Sequence, residues 1–444
     1  MNKLLLTFIA LSTWGCSQPS MGQTDDTPSP NSGKTTYFPK DVWNVSQGND
    51  YQDKNSQFSI YRMKETDNLA AFWEKGFGEN PSTTNNPKYR FALEDILNET
   101  EKMYDFYRDT LKFVVKGQSL TDKYRMNLYF FYNDDQTVYG GGADNKIGAM
   151  WLSPGRIQTK PYGAVAHELG HAFQYMVAAD GNYGYKGGGT IWEMTSQYML
   201  WQYYPLWTDF EAYHVEAFLK ATYKAFLHPD NQYHSPFVLE YWSGKHGKDF
   251  IGRLWRESRE GEDPVMTYKR LTGMNQKEFD DEMADACRRF ITWDMDRIRR
   301  TAAPHANRHH TNLDAMADGW YRVRKENCPQ NYGYNGIRLA LPTDGKTVTL
   351  HFRGVAGTEG FSKVRTENAG WRYGFVAMTR SGERVYSDIW AENEARKTFS
   401  IPSDAEYLWL VVMGAPTAHW KLGTEAQEQW PYEIKLEGTN LQTE

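Results

Sequence analysis

His167 and His171 stand four residues apart in the stretch His167-Glu168-Leu169-Gly170-His171. On an α-helix that spacing sets both imidazoles on one face, where they can reach a single ion. Zinc takes imidazole nitrogens at about 2.0–2.1 Å and keeps one coordination position open where it does chemistry. Glu168 lies between the histidines, so its carboxylate is placed to take a proton from water activated by such an ion. Two imidazoles alone leave zinc under-coordinated, and Glu193, beside Trp192, is the candidate third ligand. The same carboxylate has a rival use. Thr190-Ile191-Trp192-Glu193 spells a capping box, in which Glu193 folds back onto the backbone N–H of Thr190.

The flanking pattern must position these groups. Val165, Leu169, Ala172, Phe173 and Met176 recur at helical spacing and form a stripe to be buried, with His167, His171 and Gln174 on another face. Pro161 fits the first turn of that helix. Gly181, Gly184 and Gly187-Gly188-Gly189 end it and turn the chain back towards a second helix through Tyr198, Leu200 and Tyr203. Two core histidines around a glutamate would be a poor interior, because three polar groups would need partners there. The sequence therefore favours a metal centre with zinc as the cofactor.

A HELGH helix followed at a distance by a helix bearing Trp192-Glu193 resembles the gluzincin class of zinc metallopeptidases. More narrowly, the stretch from His167 to Gln174 with Trp192-Glu193 resembles a family of secreted bacterial HELGH proteins of unassigned function. The gluzincin resemblance covers roughly residues 124–255. It implies His167, His171 and Glu193 as metal ligands and Glu168 as the general base. The longer metzincin pattern does not fit, since Gln174 and Val177 stand where it needs Gly and His. One departure concerns the partner of a ligand histidine. Many gluzincins carry an acid four residues after the third ligand; here that position is Gln197, which can hydrogen-bond but brings no charge.

Residues 1–16 carry Lys3, an apolar run from Leu4 to Leu11 and then Cys16, the layout of a secretory signal. Gly15-Cys16 resembles a bacterial lipoprotein cleavage site, with Cys16 as the lipidated residue; ordinary signal cleavage is the alternative. Residues 17–36, rich in Ser, Pro, Thr, Gly, Gln and Asp, read as a flexible linker. The expected location is the bacterial cell envelope, with the chain lipid-anchored to a membrane, or secreted. The remainder divides into a zincin-like metallopeptidase domain over 37–318 and a β-sandwich over 319–444, an α+β chain. Aromatic residues at 15% and charged residues at 24% indicate folded structure. A net charge of −6 without a basic stripe excludes nucleic acid as a partner. Cys287 and Cys328 either pair after export or remain buried thiols.

Several elements follow from pattern. A short strand is expected at 58–61, a helix over 91–115, and strands at 125–132 and 147–152. Gly140-Gly141-Gly142 reads as a loop and lacks the Lys-Ser/Thr of a phosphate-binding loop. The resemblance implies that Ala149-Met150-Trp151 forms an edge strand that hydrogen-bonds an extended substrate. Further helices are expected at 249–259 and around Phe279, Met283, Ala286, Cys287 and Phe290. His214, His234 and Tyr241 are candidates for stabilising an oxyanion. His305, His309 and His310 read as a solvated loop cluster.

From about Gly319 short alternating stretches appear at 336–341, 347–352, 373–378, 407–412 and 432–436. Asp344-Gly345, Ser381-Gly382 and Pro402-Ser403-Asp404 divide them, which indicates an antiparallel sandwich. Trp371, Trp390, Trp409, Trp420 and Trp430 either line a sugar-binding face or fill its core.

The resemblance thus implies a secreted or lipid-anchored zinc metallopeptidase acting on peptide or protein, glycosylated substrates included. Gln197 and the tryptophan-rich sandwich keep open a surface lipoprotein that binds glycans or glycoproteins through a degenerate zinc site. A peptidase directed at glycoproteins is the other alternative.

Overall fold

The computed structural model describes residues 33–342, 346–421 and 427–442. The signal segment with Cys16, residues 17–32 of the expected linker and the Asp344-Gly345 turn lie outside the described residues. The linker's last residues belong to the folded body: Thr35 bridges Tyr124, and Thr36 is buried.

The first sheet contains β1 (Met63–Glu65), β2 (Leu69–Trp73), β3 (Met126–Phe130), β4 (Val138–Ala143) and β5 (Ile147–Leu152), in the order β1-β2-β3-β5-β4. β2, β3 and β5 run parallel, and β1 and β4 pair antiparallel at the two edges. The parallel strands are buried at every position, as their near-continuous apolar sequences require of a sheet covered on both faces. Alternation sorts the side chains. Leu69, Ala71, Leu128, Phe130, Met150 and Leu152 face the helices, while Ala70, Phe72, Tyr129, Ala149 and Trp151 meet Tyr37, Tyr51 and Phe58 on the other face.

Four expectations are corrected in this region. Residues 58–61 form no strand: Ile60–Arg62 is a helical turn capped by the Ser59 hydroxyl. The buried Arg62 there donates to the carbonyls of Lys54, Ser56 and Trp73, which ties the segment into a knot of its own. The helix expected over 91–115 is α1 (Leu93–Asp105), which widens into a π turn over Phe106–Thr110. The three glycines are not a loop but the middle of β4, and β4 is the edge strand beside β5. β5 is hydrogen-bonded on both sides, by β3 and β4, so Ala149-Met150-Trp151 cannot receive a further strand.

The helical layer follows: α2 (Gly163–Ala179), α3 (Thr190–Tyr203), α4 (Trp207–Phe210), α5 (Ala212–Leu219), α6 (Phe237–His246), α7 (Phe250–Arg256), α8 (Pro264–Thr272) and α9 (Gln276–Phe290). α2 begins two residues beyond Pro161. Val165, Leu169, Ala172, Phe173 and Met176 form its buried stripe as the spacing predicts.

Two antiparallel sheets complete the chain. They are built from β6 (Leu313–Ala315), β7 (Trp320–Val323), β8 (Tyr334–Leu339), β9 (Thr347–Gly354), β10 (Trp371–Thr379), β11 (Arg384–Tyr386), β12 (Glu394–Ser400), β13 (Ala405–Gly414) and β14 (Tyr432–Glu437). Their orders are β11-β10-β13-β8 and β12-β9-β14-β7-β6. Inward residues such as Leu350, Phe352, Phe375, Leu408, Leu410 and Ile434 fill the space between them. Trp371, Trp409 and Trp430 are buried, and Trp390 and Trp420 are half-buried, so the tryptophans do not make one exposed face. The outer face of the β11-β10-β13-β8 sheet joins the helical core through Val376, Trp409, Val411 and Met413. Polar contacts tie the same junction: Arg372 to Asp281 at 2.5 Å, the Arg288 guanidinium to the Ser387 carbonyl at 2.6 Å, and the Tyr386 hydroxyl to Asp294 at 2.7 Å. Cys287 and Cys328 are both free and lie in separate cores.

Candidate metal centre

α2 and α3 meet closely because Gly170 of the HELGH stretch faces Ser196. A Cβ on Gly170 would come within 2.8 Å of the Ser196 hydroxyl. The loop between the helices turns through positive φ at Gly181, Gly184, Gly187, Gly188 and Gly189. Gly189, not Thr190, is the N-cap residue of α3, and no side chain caps that end. The capping box is therefore not formed, and the Glu193 carboxylate turns towards α2.

There, Glu193 Oε2 lies 3.0 Å from His167 Nε2 and 3.1 Å from His171 Nε2, and the two Nε2 atoms are 3.1 Å apart. An ion with tetrahedral bonds of about 2.0–2.1 Å holds its ligand atoms roughly 3.3–3.4 Å from one another. The triangle is close to that size. His167, His171 and Glu193 form the one group among the described residues able to hold a metal through three such side chains.

The far side of each imidazole is fixed by a glutamine. Gln197 donates from Nε2 to the Tyr233 carbonyl at 3.2 Å, so its Oε1 faces His167 Nδ1 at 3.0 Å. Gln174 donates to the Trp192 carbonyl at 2.9 Å, so its Oε1 faces His171 Nδ1 at 2.9 Å. Both Nδ1 atoms must then carry protons, which leaves the Nε2 lone pairs directed at the carboxylate. Three acceptors converging in a buried site need a cation or added protons between them. The titration behaviour says the same. Burial pushes the His171 imidazole down, but the Glu193 carboxylate outweighs it and lifts the ring to about 9. Burial pushes the Glu193 carboxyl up, and the two imidazoles hold it well below the usual carboxylate range. The pocket is built to enclose positive charge.

Glu168 is buried beside this triangle with no hydrogen-bond partner for its carboxylate among the described residues. Burial raises it, against the pull of His167 and His171. The Trp192 ring stacks on His171 with centroids 6.3 Å apart and braces it against Trp255.

β4 lies against the same helix. A Cβ on Gly140 would fall 2.0 Å from the Glu168 carbonyl oxygen, and one on Gly142 would fall 2.1 Å from the Tyr175 ring. Only glycine lets the edge strand approach α2 so closely.

The structure places none of the three oxyanion candidates at the triangle. Tyr241 spends its hydroxyl on Asp285 at 2.8 Å. His214 and His234 lie behind Gln197 rather than at the triangle. Tyr233, which sequence reasoning missed, brings its hydroxyl to Glu193, and burial together with the Glu193 and Glu168 carboxylates keeps the phenol protonated. His305, His309 and His310 have separate partners in Thr208, Tyr334 and Asn312 and form no cluster.

No curated protein matches the sequence. Among solved structures, the chain is similar to the ZmpB metallopeptidase from Clostridium perfringens, at 13% identity and a TM-score of 0.32, over 80% of this chain and 66% of that one. It is also similar to the M60 catalytic domain of Clostridium perfringens ZmpC in complex with sialyl T antigen, at 11% identity and 0.30, over 82% and 67%. The CBM22-1 xylan-binding domain of Paenibacillus barcinonensis Xyn10C aligns with 29% of this chain and 79% of its own length, at 13% identity and 0.18. In sequence, one family model matches residues 28–443, nearly the whole chain. The chain belongs to that family, a family of unknown function (DUF6055).

Proposed function

We propose that the chain is a zinc-dependent peptidase that hydrolyses peptide bonds in extended protein segments. The observation that carries this reading is the triangle of acceptor atoms from His167, His171 and Glu193, with both Nδ1 atoms committed to glutamines. When bound there, zinc supplies a Lewis acid that polarises the scissile carbonyl and acidifies water. The Glu168 carboxylate takes a proton from the attacking water and passes it to the departing amine, so that one water is consumed for each peptide bond broken. The Tyr233 phenol donates a hydrogen bond to the oxygen that gains charge. The free edge of β4 pairs with the substrate backbone, the role the resemblance had implied for β5. The leader read in residues 1–16 would export the chain, to the cell envelope with Cys16 lipidated or to the exterior after ordinary signal cleavage.

Glu168→Gln tests the assignment directly. The variant is expected to bind one zinc per chain by elemental analysis while cleavage of a peptide library falls to background. Undiminished turnover in Glu168→Gln would refute the assigned base. Zinc uptake by the wild type without cleavage of any library member, glycosylated or not, would favour the degenerate, binding-only reading instead.

A further inference from the structure

Behind His167 the hydrogen bonds continue past Gln197. Gln197 Nε2 lies 2.9 Å from His214 Nε2, and His214 Nδ1 lies 2.7 Å from His234 Nδ1. The direction of each bond follows from the one before it. The Tyr233 carbonyl can only accept, so it takes one N–H of the Gln197 amide. The second N–H therefore points at His214 Nε2, which must accept it without a proton of its own. A neutral His214 then carries its proton on Nδ1 and donates to His234 Nδ1. His234, accepting there, carries its proton on Nε2, which has no partner among the described residues. Every donor in the chain points away from the metal triangle.

Neutral rings are what the surroundings support. His214 is packed between Trp207, Tyr213 and His234. The nearest carboxylate, Glu211 Oε2, is 3.7 Å from His214 Nε2 and accepts the Trp207 indole N–H at 2.6 Å.

We propose that His214 and His234 are positioning residues for the metal centre, which together with the Tyr233 carbonyl hold Gln197 in the one orientation that fixes the Nδ1–H form of His167. The proposal rests on the zinc reading above. It also explains how a neutral glutamine serves where a carboxylate would orient the imidazole by charge. The amide is aimed by a relay, not by attraction.

The test uses the full chain, stripped of metal and titrated with zinc against a chromophoric chelator. His214→Phe removes the acceptor and is expected to weaken zinc binding about 10–100-fold, the usual cost of losing a group that orients a ligand. His214→Gln places an amide oxygen within reach of the Gln197 amide and is expected to restore affinity to within a few-fold of wild type. Wild-type affinity in His214→Phe, or equal losses in both variants at unchanged melting temperature, overturns the proposal. A second readout needs no variant and no metal. In the wild-type apo chain, ring-nitrogen NMR shifts should show protons on Nδ1 of His214 and Nε2 of His234, and the opposite tautomers overturn it. A wild-type chain that takes up no zinc defeats the metal reading alone and leaves the tautomers to judge this one.

Discussion

At the scale of single residues, the convergence of His167, His171 and Glu193 was legible because its spacing is local. His167 and His171 share one helical face whatever the rest of the chain does, and the choice of Glu193 needed only the next helix. Tyr233 was not legible. It follows the short helical turn Pro229–Asn231, held in place by contacts such as Asn231 Nδ2 to the Ala225 carbonyl at 3.0 Å and Ser235 to the Phe226 carbonyl at 3.2 Å. No periodicity marks such a segment, whereas His214 and Tyr241 stand out on helices. Tyr233→Phe should therefore keep zinc and fold while kcat drops about 10²–10³-fold, the cost of one donor to a developing oxyanion. An unchanged kcat would remove Tyr233 from the reaction.

At the scale of elements, the reading of Gly140-Gly141-Gly142 failed for a definite reason. Glycine is a poor strand former, so three in a row signal a turn until something else demands them. Here the demand is tertiary: the backbone of α2 occupies the space a side chain would fill. The same absence hid which strand is the edge, because the five-stranded order places β4 beyond β5 although it comes first in the sequence. Gly140→Ala must push β4 away from α2 or move the helix. A stability loss of about 1–3 kcal/mol is expected from such overpacking. Peptide turnover should fall with it, while zinc content stays near wild type. Melting curves alongside metal analysis check both, and a fully stable, fully active Gly140→Ala would show the contact to be unimportant.

At the scale of the molecule, the five stretches read as sandwich strands all form strands, but no pattern along the chain marks how far they share their interior with the helices. His309 sits at this junction. Its Nε2 meets the Tyr334 hydroxyl at 2.7 Å, its Nδ1 is buried without a partner among the described residues, and its ring lies against Trp409. Burial pushes this imidazole down to about 3. The unfolded chain takes up that proton near 6.5 and the folded one only near 3, so between those values the unfolded state binds more protons. The contribution is fully present above about pH 6.5 and is lost as pH falls, at about 1.4 kcal/mol per pH unit for one such group. His309→Gln, which keeps a polar partner for Tyr334, should flatten the fall of melting temperature between pH 6 and 4. An unchanged slope would assign the acid sensitivity to other groups, the similarly buried His214 first.

The bare glycine strand has one more consequence. An edge with nothing but peptide groups at three successive positions can grip a guest chain only by its main-chain amides and carbonyls. Such a grip is indifferent to which residues pass along it. A catalogue of cleavage sites from this protein would accordingly look ragged along that rim, with any consensus confined to the positions that meet Tyr139, the exposed aromatic of β4.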